Sequence, residues 1–266
     1  MSDQPSQSAV YPAYIQLQSI RGEQFADPAA PGLAGRLLTC VGYGQQGAEL
    51  ALAMIIAGGT FLGIDPSTEH LKAAVRNGSC DFMVNTLDES LRVLKNEVRK
   101  KKALSVGLLA EPSAILPAMV ERGVQPDLVA DCAPSASASV PPYSPALLTF
   151  VERGAIQFIR PTATVPGSDD SLQVHWTAAS LTGLRRMDQL AFQQLPADDS
   201  IRRGWLQHAP AYFHRQRPLQ RVLNMRQQEL DRLKLAFQNA LAAGEIQSPA
   251  TLAWQAPDGT ELSIAL

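Results

Sequence analysis

The run Gly42-Tyr43-Gly44-Gln45-Gln46-Gly47 sets three glycines at the spacing G-x-G-x-x-G, after one apolar stretch and before another. Between a strand and a helix, such a loop turns backbone N–H groups and a helix N-terminus toward an anion. The first glycine permits the tight turn and the second lets the backbone approach a diphosphate. The third lets the helix pack closely on the strand. Asp65 stands 18 residues beyond Gly47, at the end of the next apolar run. An acid there can accept hydrogen bonds from a ribose diol. Gly42, Gly44, Gln45, Gln46, Gly47 and Asp65 are therefore the expected residues of a dinucleotide site, with NAD as the cofactor. The alternative is an inherited tight turn without that ligand, since a fold does not fix a function.

Other reactive side chains carry weaker patterns. Cys40 and Cys132 close predicted strands and could form a thiol or redox site, although free cysteines more often serve as small buried hydrophobes. His208 and His214 are six apart, not the four of a helical metal pair. Arg202, Arg203, Arg215, Arg217 and Arg221 surround them and read as an anion-binding patch or, more simply, a solvated face. Asp198-Asp199-Ser200 has the form of a helix N-cap, and Asp169-Asp170 is a second acidic pair.

The elements that must position these residues follow from apolar periodicity. Short apolar runs at 36–41, 60–64, 80–84, 103–109 and 127–131 alternate with helical stretches at 47–57, 67–77, 87–101 and 112–122. That alternation predicts an α/β fold, a Rossmann-like parallel sheet, and near-continuous apolar strands suit a sheet covered on both faces. A Pro- and Ser-rich segment at 132–146 breaks the pattern. Beyond it, the sequence predicts a helix at 146–153 and strands at 155–159 and 172–178. Helices are expected at 183–194, 200–214 and 219–243, followed by a terminal hairpin. The expected domains are an N-terminal arm at 1–32, a Rossmann-type unit at 33–145, and a smaller, mainly helical C-terminal region at 146–266.

Composition bounds the class. The 266 residues are 45% hydrophobic and 18% charged, with a formal net charge of -2 and pI near 6.1. That balance predicts neither nucleic acid nor an anionic membrane as a partner. No apolar run is long enough for a membrane span, no secretory signal is visible, and three dispersed cysteines form no disulfide framework. A soluble cytoplasmic protein with a dinucleotide or small-molecule ligand and no metal is the expectation.

The residues also carry a family resemblance. The entry 33–39 into the glycine loop, the block 102–109, Ile115-Leu116-Pro117, and above all Arg122-Gly123-Val124-Gln125-Pro126-Asp127-Leu128-Val129 resemble the NAD domain of urocanase, urocanate hydratase. Fainter likeness continues through Ile159-Arg160-Pro161 and Val174-His175-Trp176 to about residue 250. The resemblance implies a lyase family of histidine catabolism, a homodimer, and tightly held NAD used as an electrophile. Gly44, Gln45, Gln46 and Asp65 fall on its cofactor positions, and His70 replaces a basic residue that follows the acid.

Elsewhere the family pattern is lost. Ala110-Glu111-Pro112 replaces a Gly-Asn-Ala, and Cys132-Ala133-Pro134 replaces the start of a Gln-Thr-Ser-Ala-His run. The arginine that would hold the substrate carboxylate appears as His175. The family's active-site cysteine has no counterpart: the alignment reaches Leu223 there, and no cysteine follows Cys132. Three readings result. One is a NAD-binding, non-hydratase regulator or partner. Another is a divergent lyase or hydratase on a different substrate, using Cys132, His175 or Glu111. The third is a structural relative without a nucleotide.

Overall fold

The computed structural model describes residues 4–25, 32–134, 140–159, 171–213, 217–255 and 260–266. It divides into two compact units between residues 160 and 161.

The first unit is an α/β layer structure. Its chain order is α1 Gln7–Gln24, β1 Leu37–Val41, α2 Gln45–Ile56, β2 Thr60–Asp65, α3 Thr68–Asn77, β3 Phe82–Val84, α4 Leu87–Arg99, β4 Leu104–Leu109, α5 Pro112–Glu121, β5 Leu128–Asp131, α6 Ser144–Glu152 and β6 Ile156–Phe158. The six strands lie parallel in the order β3-β4-β2-β1-β5-β6. Every residue of β1 and β2 is buried, as a sheet covered on both faces requires. Leu37, Val41, Leu62, Ile64, Val106, Leu108 and Val129 form one core with the inner sides of α4, α5 and α6. On the opposite face, Tyr43 lies over Gly63 and Leu71 over Gly107, where a Cβ would stand 2.2 and 2.7 Å from those side chains.

The stretch expected as a loose arm is the helix α1, packed against α2. Residues 47–56 of α2 are buried on every side. A helix that is apolar all round must be covered twice. The sheet covers one side of α2, and the stripe Val10, Tyr11, Tyr14 and Leu17 of α1 covers the other. Each such side chain contributes about 1.5–3 kcal/mol on burial. That outweighs the roughly 3 kcal/mol cost of Pro12 in the helix interior.

The second unit has more helical than strand residues, as expected, and its helices accompany an antiparallel sheet, β10-β9-β7-β8, that includes a strand, β8, not expected from the sequence. Its elements are β7 Ser171–Ala178, α7 Leu181–Gln194, α8 Ser200–His208, α9 Pro210–Phe213, β8 Gln220–Arg226, α10 Gln227–Ala242, β9 Ala250–Gln255 and β10 Glu261–Ala265. β7 alternates strictly, with Leu172, Val174, Trp176 and Ala178 buried. The single long helix expected at 219–243 is a strand followed by a helix. The break is local: Glu229 Oε2 accepts from the Arg226 N–H at 2.9 Å, so the helix starts only at Gln227. The turn of the terminal hairpin lies outside the described residues, while its strands pair antiparallel.

Candidate functional site

From β1 the chain passes through α2 to β2, whereas from β5, on the other flank of β1, it passes through α6 outward to β6. The chain thus leaves adjacent strands β1 and β5 in opposite directions. The crevice at their carboxyl ends is where open α/β sheets bind ligands. The glycine loop and Cys132 meet there, Gly42 and Gly47 both lying against the Cys132 segment.

The three glycines have different duties. Gly42 has φ +84°, and a Cβ on it would stand 2.8 Å from the Ala133 nitrogen. Gly47 lets α2 close on the loop: a Cβ there would stand 2.1 Å from the Gly42 carbonyl oxygen. Both are required by the chain itself. Gly44 is not, since a Cβ there would meet only the His70 ring, at 3.8 Å. Gly44 is the N-cap of α2, no side chain caps it, and Gln45 and Gln46 of the first turn are exposed. The helix therefore offers its N-terminal N–H groups and the positive end of its dipole to an anion at Gly44.

Asp65 does more than sequence reasoning assigned to it. It ends β2 as expected, yet it is 4% exposed. Its Oδ2 accepts from the Tyr43 N–H at 2.5 Å and lies 3.0 Å from His70 Nδ1, while Oδ1 accepts from the Ser67 N–H at 2.7 Å. The carboxylate thus fastens the glycine loop to the start of α3. Tyr43 adds a second fastening, donating its hydroxyl to the Ser79 carbonyl at 2.8 Å and meeting Phe61 edge-on. Neither role follows from the motif, which leaves the residue after its first glycine unspecified. The one signal was Gly63 in the middle of β2, a gap that a neighbouring ring must fill.

Cys40 is fully buried at the end of β1, and none of the three cysteines is in a disulfide. Its thiol is held well above the usual range by the neighbouring Cys132, by burial and by the nearby Asp131. Asp131 itself accepts from the Ala133 N–H at 3.0 Å and the Tyr143 hydroxyl at 3.2 Å. A pocket of about 20 Å³ beside Asp131, between β5, β6 and α6, has room for one water, not a nucleotide.

Within the first unit, the candidate catalytic residues Glu111 and Cys132 are not brought together. Glu111 precedes α5 at the end of β4, three strand spacings or about 14 Å from the β5 end that carries Cys132. His175 is in the second unit, on the face of β7 opposite Val174 and Trp176, with Nε2 3.2 Å from Gln173 Oε1. Burial holds its pKa below the ordinary 6.5 against the opposing pull of Glu261.

The predicted basic patch is also dispersed. Arg202 binds Glu229 through both terminal nitrogens, at 2.6 and 3.0 Å, and Asp199 through Nε at 2.5 Å. Arg221 donates to Asp188 at 3.0 Å, and Arg203 lies 3.8 Å over the Phe192 ring. These are internal braces, neither an anion site nor a solvated face. His214, Arg215 and Asp169-Asp170 lie outside the described residues. Asp199 does cap α8, accepting from the Arg202 N–H at 2.9 Å.

A comparison with protein families matches residues 6–192 to the urocanase Rossmann-like domain. The chain belongs to the urocanase family. The match begins at the N-cap of α1, so this helix is part of the urocanase domain and not an appendage. It runs through the six-stranded unit and ends in α7. The Rossmann-like parallel sheet is therefore family architecture. Among the described residues, no helix is long and apolar enough to cross a membrane.

Proposed function

We propose that the switch point of this urocanase-family chain binds NAD or a related nucleotide, and that the chain acts as a non-hydratase regulator or partner. The observation that carries this reading is the N-terminus of α2, capped by no side chain and open beside Gly44, where a Cβ would meet only the His70 ring. The urocanase family is associated with NAD, which supports the choice of nucleotide.

The residues fit one half of NAD better than the other. Backbone N–H groups of Gly44, Gln45 and Gln46 would hold the diphosphate. Asp65 would receive the adenosine ribose once His70 turns away from it, and its ties to Tyr43 and Ser67 would keep it in place meanwhile. NAD in this family supplies an electrophilic ring; nothing in the chain's own chemistry here completes a hydratase around it. His175 stands where the substrate-binding arginine is expected, and a neutral, half-buried imidazole offers no bidentate charge to a carboxylate. The second unit contains no cysteine.

Calorimetric titration of the purified protein with NAD tests the reading, alongside mass analysis of any nucleotide released on denaturation. The expected result is saturable binding that Gly44→Val abolishes, with a melting temperature close to that of the parent. A parent protein that carries no nucleotide and gives no heat with NAD would sink the proposal. In parallel, the near-ultraviolet absorbance of urocanate should stay constant in its presence, and a steady decline would restore the hydratase assignment.

A further inference from the structure

We propose that Cys40 and Cys132 form a redox-active dithiol that closes to a disulfide beneath the glycine loop. Three independent placements support it. In the β1–β5 register Cys40 faces Ala130, and Val41 pairs with Asp131. The ladder continues one step, with the Cys132 N–H donating to the Val41 carbonyl at 2.8 Å. Cys132 therefore lies two residues beyond the partner of Cys40, on the same face of the sheet, while the Cys40 thiol points along the strand end at the Val41 and Gly42 carbonyls, 3.4 and 3.6 Å away. Finally, Cys132 is partly exposed whereas Cys40 is wholly buried, so one thiol can be reached from solvent and the other only through its neighbour.

That asymmetry fixes the order of chemistry with a small-molecule disulfide as oxidant. The Cys132 thiolate attacks one sulfur of oxidised glutathione, forming a mixed disulfide and expelling one glutathione thiolate. Cys40 then loses its proton and attacks the Cys132 sulfur, and the second glutathione thiolate leaves. Two protein thiols are oxidised and one glutathione disulfide is reduced to two glutathione molecules. Burial, which disfavours the Cys40 thiolate whatever the state of Cys132, makes the second step the slow one.

Closure has a mechanical consequence. A disulfide holds its Cα atoms about 5.5–6 Å apart, and diagonal neighbours across two strands stand wider than that. The end of β5 must therefore move toward β1. Gly42 is packed against the very atoms that move, those of Cys132 and Ala133, and Gly47 lies against the Cys132 Cβ. Oxidation thus distorts the loop and weakens whatever anion it holds. The dithiol stands on its own geometry, while this effect on the ligand rests on the nucleotide reading above.

The experiment treats the reduced, full-length protein with oxidised glutathione, quenches with acid, alkylates the remaining thiols and maps the peptides. The expected result is a linked pair of peptides carrying Cys40 and Cys132, an intact mass lower by about 2 Da, and alkylation at Cys80 alone. Cys80→Ser should form the same bond and Cys132→Ser should not. Glutathione retained on Cys132 as the end product, or no reaction at all, would overturn the dithiol. Titration of both redox forms with NAD then separates the two claims. A loss of affinity of about tenfold or more on oxidation supports the coupling, and equal affinity in both forms overturns it. A linked peptide in a protein that never binds NAD upholds the dithiol and defeats the nucleotide reading.

Discussion

In the parallel-sheet unit, the groups nearest the ligand crevice are backbone N–H groups, glycines and the carboxylates of Asp65 and Asp131. In the antiparallel unit, charged side chains sit inside and neutralise one another: Arg202 with Glu229 and Asp199, Arg221 with Asp188. The difference is one of use. Groups left available at a crevice edge suit an exchangeable partner, whereas charges buried in bidentate and shared pairs are committed to holding elements together. The second unit therefore reads as braced framework, and the ligand proposed above is assigned to the first.

The largest expected effect is on the brace. Arg221→Met should destabilise the protein by about 3–5 kcal/mol in urea unfolding, because the Asp188 carboxylate stays buried with only the Trp176 indole N–H, at 3.0 Å, as donor. A small effect would mean that the second unit does not depend on this pair. The same carboxylate gives a pH signature. Burial lifts its pKa from 3.8 to about 6, against the pull of Arg221 and Trp176. The folded state then holds this proton more tightly than the unfolded one. Stability from this group is greatest below about pH 4 and declines as pH rises to about 6, by up to roughly 3 kcal/mol. The difference in unfolding free energy between parent and Asp188→Asn, followed across that window, should show the slope in the parent only.

On the crevice side, Gly47→Ala should cost about 2–3 kcal/mol, since its methyl group meets the Gly42 carbonyl. Unchanged denaturant midpoints would show that the loop is looser than described. The smallest effect on stability is expected at His70, whose side chain is 48% exposed in its pair with Asp65. His70→Ala should change stability by no more than about 0.5 kcal/mol, yet raise NAD affinity roughly threefold to tenfold by uncovering the carboxylate. Weaker binding in this variant would make His70 a ligand contact instead of a cover.

Much of the first unit was legible because its signals are local. A buried central strand is a short apolar run, and three glycines ahead of an apolar helix mark their own turn. What escaped was decided by partners distant in sequence. The stripe on α1 is diluted by glutamines and interrupted by Pro12, and only the all-round burial of α2 demands it. The split between β8 and α10 depends on the reach of Glu229 back to Arg226, within a segment whose apolar residues suit a helix as well as a strand. At the site, the glycine positions and Asp65 were readable by spacing, and their division of labour was not. Whether a glycine serves the ligand or the chain depends on what its absent side chain would strike.

The fastening of Asp65 to Tyr43 and Ser67 has a consequence for how tightly and how selectively the crevice can bind. The loop already has its shape without a guest, so little conformational entropy remains to be lost when one arrives. What the newcomer must do is take the place of an imidazole on a carboxylate, one hydrogen bond for another. Such a swap is nearly neutral for a diol and unfavourable for a group that cannot donate. On the nucleotide reading proposed above, the crevice is thereby set to tell a ribose from its lookalikes more sharply than to grip it.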